Sequence, residues 1–218
     1  MRVIQLAVAS VAVLVAMAGQ VQAGVITTLF NANNGGNAGG AVYFDIDVLN
    51  PNGITIEKIF TNSNATVLGS MDIYTRSGTS SGFESSPAGW TLVSSGSGTL
   101  AGLNNPSEFN VSDFSLGFGV TGIAIAASSS WGHSYTNGNG SNQFYSNADL
   151  SLTLGSATNS AFSAPVFTPR VWNGTIEYST TTAVPEPSSL ALFGIGACIA
   201  GFGAARRLRR EKQQEATA

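Results

Sequence analysis

Apolar and polar positions alternate over short runs between Gly24 and Tyr178, and no helical period lasts even three turns. The clearest run is 41–49, where Val42, Phe44, Ile46 and Val48 share one face and Tyr43, Asp45 and Asp47 the other. That two-residue period is the mark of a strand with unlike faces. Further strands are expected at 25–30, 54–60, 71–75, 90–94, 114–120, 123–127, 149–154 and 175–179. Glycine, serine, threonine and asparagine fill the connections, and Asn-Gly pairs starting at Asn52, Asn137, Asn139 and Asn173 suit turns with positive φ. Nine strands in one domain call for two sheets, so the pattern predicts an all-β fold, a single β-sandwich of jelly-roll type. The connections at 76–89 and 128–148 exceed the usual length and are expected to be functional or mobile.

Both ends break this pattern. Met1 and Arg2 precede an uncharged apolar run at 3–18, and the small residues Val21 and Ala23 fit a signal-peptidase site, so 1–23 reads as a signal peptide cut between Ala23 and Gly24. The β domain is then 24–179. A polar connector at 180–187 contains Val184-Pro185-Glu186-Pro187, and its two prolines oppose helix and strand and favour an extended backbone open to an enzyme. Residues 188–205 carry no charge and would span about 27 Å as a helix, just enough to cross a bilayer. Arg206, Arg207, Arg209 and Arg210 follow within the tail 206–218, and such a cluster stays on the cytoplasmic side, leaving the β domain outside. Gly194, Gly196, Gly201 and Gly203 make this helix marginal, and Cys198 within it reads as a small apolar filler.

The order of Pro-Glu-Pro, one apolar helix and an arginine cluster over 184–210 resembles the PEP-CTERM protein-sorting signal. The resemblance implies that this segment is the substrate of an exosortase, a multi-spanning membrane transpeptidase of Gram-negative, exopolysaccharide-producing bacteria. It also implies an itinerary: signal peptidase and the secretion machinery, a transient anchor in the inner membrane, then the cell surface or an exopolysaccharide matrix. Two stretches, 145–152 and 169–178, are similar to segments of other secreted PEP-CTERM precursors, and this likeness implies no activity.

Charge narrows the partners. The segment 24–183 holds three basic residues against nine acidic ones, a net −6, and no basic face able to neutralise phosphates; nucleic acid is therefore excluded as a partner. One cysteine in the chain rules out an intramolecular disulfide and a multi-thiolate zinc site, and no cofactor or metal is expected. His133, the lone histidine, reads as a solvated loop residue, and no nucleophile-elbow pattern surrounds any serine. Asp45 and Asp47 project from one strand face, where calcium or carboxylate-dependent hydrolysis is conceivable, and solubility of an outer face is the simpler role. Trp131, Tyr135 and Tyr145, with Trp90, stand in Asn- and Ser-rich stretches and form the candidate platform of a carbohydrate-binding module, or else cap the core. Trp172 is expected to plug one end of the sandwich, with Arg170 pairing to Asp149. The expectation for the whole is a secreted, non-enzymatic surface or matrix protein.

Overall fold

A computed structural model describes residues 20–182 and Gln213. The proposed signal peptide up to residue 19, the sorting motif Val184, Pro185, Glu186 and Pro187, the expected membrane helix at 188–205 and the arginines Arg206, Arg207, Arg209 and Arg210 lie outside the described residues. Among the described residues no helix is long and apolar enough to cross a membrane.

The described chain is all-β. In chain order the strands are β1 (Gln20–Thr27), β2 (Asn34–Gly35), β3 (Ala41–Val48), β4 (Ile54–Thr61), β5 (Leu68–Ser77), β6 (Thr91–Thr99) and β7 (Ser107–Leu116). They continue as β8 (Gly119–Ala127), β9 (Ser134–Asn137), β10 (Phe144–Ser146), β11 (Leu150–Thr158), β12 (Val166–Phe167), β13 (Arg170–Val171) and β14 (Gly174–Thr182). Eleven strands form one continuous sheet in the order β1-β14-β4-β7-β6-β5-β8-β3-β11-β10, with β12 beside β11. A small sheet, β13-β9-β2, lies apart from it. From β14–β4 round to β11–β10 every pair in the large sheet is antiparallel.

The all-β, sandwich-like fold expected from the pattern is built mainly by one large sheet that folds back on itself and nearly closes. The connection from β7 to β8 proves the fold-back. Leu116 and Gly119 are three residues apart, a reach of at most about 11 Å. Yet β6 and β5 lie between the two strands, and three flat strand spacings come to about 14 Å. The corner is at β6–β7, where only Gly96↔Val111 and Ser97↔Asn110 pair. A Cβ at Gly98 would stand 2.0 Å from the carbonyl oxygen of Glu108, and one at Gly96 would stand 2.6 Å from that of Asn110, so the close approach excludes side chains there. Bulges in the β4–β7, β5–β6, β3–β11 and β4–β14 pairs add the bending that wraps one sheet round one core.

The core is the inner face of the large sheet. Val42, Phe44, Ile46 and Val48 point into it, as their alternation predicted, with Ile56, Ile59, Met71, Ile73, Phe109 and Leu152. Trp172 stacks flat on Phe44, ring centroids 5.0 Å apart. A second, smaller cluster forms on the outer face, where Ala41 and Tyr43 meet Ala124, Ala126, Tyr74, Trp90 and Phe162. The connection after β5 is the lid of this cluster and not a free loop. Asp45 accepts hydrogen bonds from the Thr79 hydroxyl (2.6 Å) and from the backbone N–H and hydroxyl of Ser80 (both 2.7 Å). Buried Glu84 accepts from the Ser156 hydroxyl at 2.9 Å and from the Gly82 N–H at 2.7 Å.

Candidate functional site

The aromatic residues expected as a sugar platform do not form one. Trp131 is 2% exposed: its indole N–H donates to the Ser70 carbonyl at 2.8 Å, and its ring packs 5.3 Å from Phe109. Tyr135, on β9, is 3% exposed within the same core. Tyr145, on β10, is half-buried against that core. Their burial corrects the exposed reading, because an aromatic ring removes more apolar surface from water inside than a short polar loop can offer outside. Trp90 is spent on the outer cluster, with its N–H given to the Phe83 carbonyl at 3.0 Å. Among the described residues the most exposed aromatics are Phe83, Phe118 and Phe144, on separate elements. The sequence singles out none of the three.

His133 is corrected from solvated to sealed. It is 2% exposed, with Nε2 3.1 Å from the Ile125 carbonyl and Nδ1 3.1 Å from the Thr61 hydroxyl. A carbonyl only accepts, so Nε2 carries the proton and Nδ1 accepts from Thr61. The Thr61 oxygen in turn accepts from the Trp172 N–H at 3.1 Å. This directed chain requires a neutral ring, and burial lowers the imidazole pKa to about 4, against a smaller raising effect of the Ile125 hydrogen bond. A ring so enclosed positions the β4 end against the core and has no open side for a substrate.

Asp45 and Asp47 share the outer face of β3, as alternation required. The oxygens of Asp45 are engaged by Thr79 and Ser80, and among the described residues no group of three or more His, Cys, Asp or Glu side chains gathers as a metal site would. The expected Arg170–Asp149 pair is absent. Arg170 donates through Nη1 to the Pro169 carbonyl at 2.9 Å and lies over the Tyr135 and Phe167 rings. Asp149 instead accepts from the Asn50 amide and the Tyr178 hydroxyl, both at 3.1 Å.

Ala23 and Gly24, where the signal-peptide cut is expected, lie within β1, beside the far half of β14. Gly24 packs so closely on Tyr178 that a Cβ would stand 2.4 Å from the ring. The Asn147 amide N–H donates to the Val25 carbonyl at 3.2 Å and to the Tyr178 hydroxyl at 2.8 Å. Burial pushes the Tyr178 phenol up to about 12, and the Asp149 carboxylate beside it acts in the same direction. Sequence reading missed this cluster because Asn147, Asp149 and Tyr178 are remote from residue 24 in the chain and meet only through the sheet.

Comparison with known proteins bears on the segment after β14. No curated protein matches the chain. Among solved structures, the clostridial cysteine protease Cwp84, in a variant form after propeptide cleavage, shares 9% identity with a TM-score of 0.46, covering 73% of this chain and 40% of its own. The cysteine protease and lectin-like domains of Cwp84, a surface layer associated protein of Clostridium difficile, share 10% identity with a TM-score of 0.38, covering 66% and 32%. The chain thus spans well under half of the length of either structure. Residues 183–210 match the family described as the PEP-CTERM protein-sorting motif, beginning one residue after β14 ends, so the chain carries that sorting motif behind its β domain.

Proposed function

We propose that the β domain is the secreted cargo of an exosortase pathway: exported with a signal peptide, held in the inner membrane by residues 188–205, and released at the sorting motif to the cell surface or an extracellular polysaccharide matrix. The observation that carries this reading is the sorting motif at 183–210, set directly behind the last strand of the domain. Residues 24–179 then act as a non-enzymatic structural or interaction domain. In support, the lone histidine is sealed within a directed hydrogen-bond chain, and Asp45 ties down a loop. The chain also passes from one half of the folded sheet to the other at β3→β4, β4→β5, β7→β8 and β11→β14, which favours a jelly-roll type of winding.

Mass spectrometry of surface material from exosortase-bearing cells tests the route. Peptides from the β domain are expected without peptides from 190–210, and deletion of Pro185, Glu186 and Pro187 is expected to keep the chain in the membrane fraction. Intact 190–210 joined to surface-released domain would refute it.

A further inference from the structure

The chain contains five Asn-Gly pairs, which begin at Asn34, Asn52, Asn137, Asn139 and Asn173. Such a pair has a chemistry of its own. Glycine leaves its amide nitrogen unshielded, and that nitrogen, once deprotonated, can attack the side-chain amide of the asparagine before it. The electron pair that attacks lies where the proton was, so in a folded chain the direction of the glycine N–H decides whether the reaction is set up. In four of the pairs that N–H is held elsewhere. Gly53 donates to the Asn50 carbonyl at 3.0 Å, Gly138 to the Pro169 carbonyl at 3.1 Å, Gly140 to Oε1 of Gln143 at 3.0 Å and Gly174 to the Thr28 hydroxyl at 2.9 Å. Asn173 is in addition fully buried.

Gly35 differs. Asn34 stands opposite Tyr135 and Gly35 opposite Ser134, and the next residue, Gly36, donates its N–H to the His133 carbonyl at 2.8 Å. Adjacent amides of a strand point to opposite sides, so the Gly35 N–H points away from β9. β2 is the outer strand of the small sheet, and that side is its free edge. There the Gly35 N–H donates to Oδ1 of Asn34 itself, at 2.8 Å, with both residues exposed. Oδ1 is bonded to Cγ, so the nitrogen faces the group it would attack, and the same hydrogen bond polarises that carbonyl. The other arm of the Asn34 amide is fixed, since Nδ2 donates to Oδ1 of Asn137 at 2.9 Å. The fold does not need a glycine at 35. Its φ is not positive, and a Cβ would stand 3.8 Å from the His133 carbonyl oxygen, an ordinary contact, whereas one at Gly174 would stand 2.0 Å from the Trp172 ring.

We propose that Asn34 is a self-modification site, at which the Gly35 nitrogen displaces the Asn34 side-chain amide and the edge strand β2 acquires an aspartyl or isoaspartyl residue. Base takes the Gly35 amide proton, the nitrogen adds to the Asn34 Cγ, and the Cγ–Nδ2 bond breaks. Nδ2 leaves as ammonia, taking the proton it needs from water, and a cyclic imide closes between the two residues. Water then opens the imide. Attack at Cγ returns the ordinary backbone with a carboxylate side chain; attack at the main-chain carbonyl routes the backbone through the side chain and lengthens it by one carbon. Either product places a new negative charge beside Asn137, and both lose the Nδ2 donor that now joins the two side chains. No enzyme, metal or oxidant is required, and the reaction is independent of the export route proposed above.

The full chain, purified in detergent and aged in mildly alkaline buffer, tests it. Peptide mapping reads the gain of about 1 Da at each asparagine, and electron-transfer fragmentation separates aspartyl from isoaspartyl products. In the folded chain residue 34 is expected to convert at least about tenfold faster than 52, 137, 139 or 173, because those four must first break a hydrogen bond or open locally. In concentrated urea the five rates are expected to converge to within about threefold, since the chemistry common to all Asn-Gly pairs is then all that remains. Gly35→Ala is expected to slow conversion at 34 by more than about tenfold, by crowding the nitrogen, while the urea midpoint stays that of the wild type. A folded chain in which any of the other four sites matches residue 34 overturns the proposal. So does an equal lead of residue 34 in urea, which would assign its rate to neighbouring sequence, and so does a Gly35→Ala chain that is modified as fast as the wild type.

Discussion

His133 shows how far a polar residue can be carried inward when each of its atoms is given a partner of the right kind. The Trp172 indole, the Thr61 hydroxyl, the imidazole and the Ile125 carbonyl form one directed chain, and a second proton on the ring would leave Nδ1 and the Thr61 hydroxyl both presenting hydrogens. The pH consequence has a definite sign. Unfolded chains bind a proton at His133 as pH falls through about 6.5, and the native ring resists until about 4. Stability is therefore complete above about 6.5, declines by up to about 3 kcal/mol between 6.5 and 4, and levels off below that. Urea midpoints measured at pH 7 and 4.5 check this, and His133→Gln should flatten the difference; an equal drop in that variant would assign the acid sensitivity to other groups. Trp131 makes a second test. As a core residue its truncation to Ala should cost about 3–5 kcal/mol, whereas Phe118→Ser, at a position 71% exposed, should change stability by less than about 0.5 kcal/mol. Denaturation that spares Trp131→Ala would return that side chain to the surface.

At the scale of elements, β7 and β8 show where alternation misleads. Phe114, Leu116, Phe118 and Val120 keep a perfect two-residue period, and the pattern predicts one strand at 114–120. The structure ends β7 at Leu116 and starts β8 at Gly119, leaving Phe118 and Val120 in solvent. The first half of β7 was hidden for a related reason. Phe109 and Val111 face the core, then the phase slips at Ser112 and Asp113, both exposed, before Phe114 and Leu116 turn inward again. The slip accompanies the register shift against β4. A period-two search cannot cross a bulge, since one inserted residue reverses which face is buried. The short strands β2, β9, β10, β12 and β13 hold two to four residues each, too few to show any period. The glycine corner gives this scale its prediction. Gly98→Ala drives a Cβ into the Glu108 backbone and should cost about 1–3 kcal/mol, while Gly117→Ala, with open space around it, should be close to neutral; thermal melts of both variants compare them.

For the β domain, one sheet curled round one core implies cooperative unfolding, and removing the residues after Thr182 should leave that transition in place. A chain from Gly24 to Thr182 is expected to melt in a single step with the same midpoint by fluorescence and by far-ultraviolet circular dichroism; separated midpoints would mean that the two halves of the sheet unfold independently. The sorting motif, by contrast, was legible as sequence. Charge-free length, flanking arginines and paired prolines act through lipid and through backbone restriction, which depend on order along the chain and need no tertiary partner. All-β character was equally legible, because the alternation at Val42, Phe44, Ile46 and Val48 is imposed by the pleat itself. Three things waited for the tertiary structure: that one large sheet wraps most of the core, that Trp131, Tyr135 and His133 are interior, and that β1 lies beside β14. Each is a matter of which distant segments share a boundary, and burial, hydrogen-bond partners and strand neighbours belong to such pairs of segments and never to either one alone.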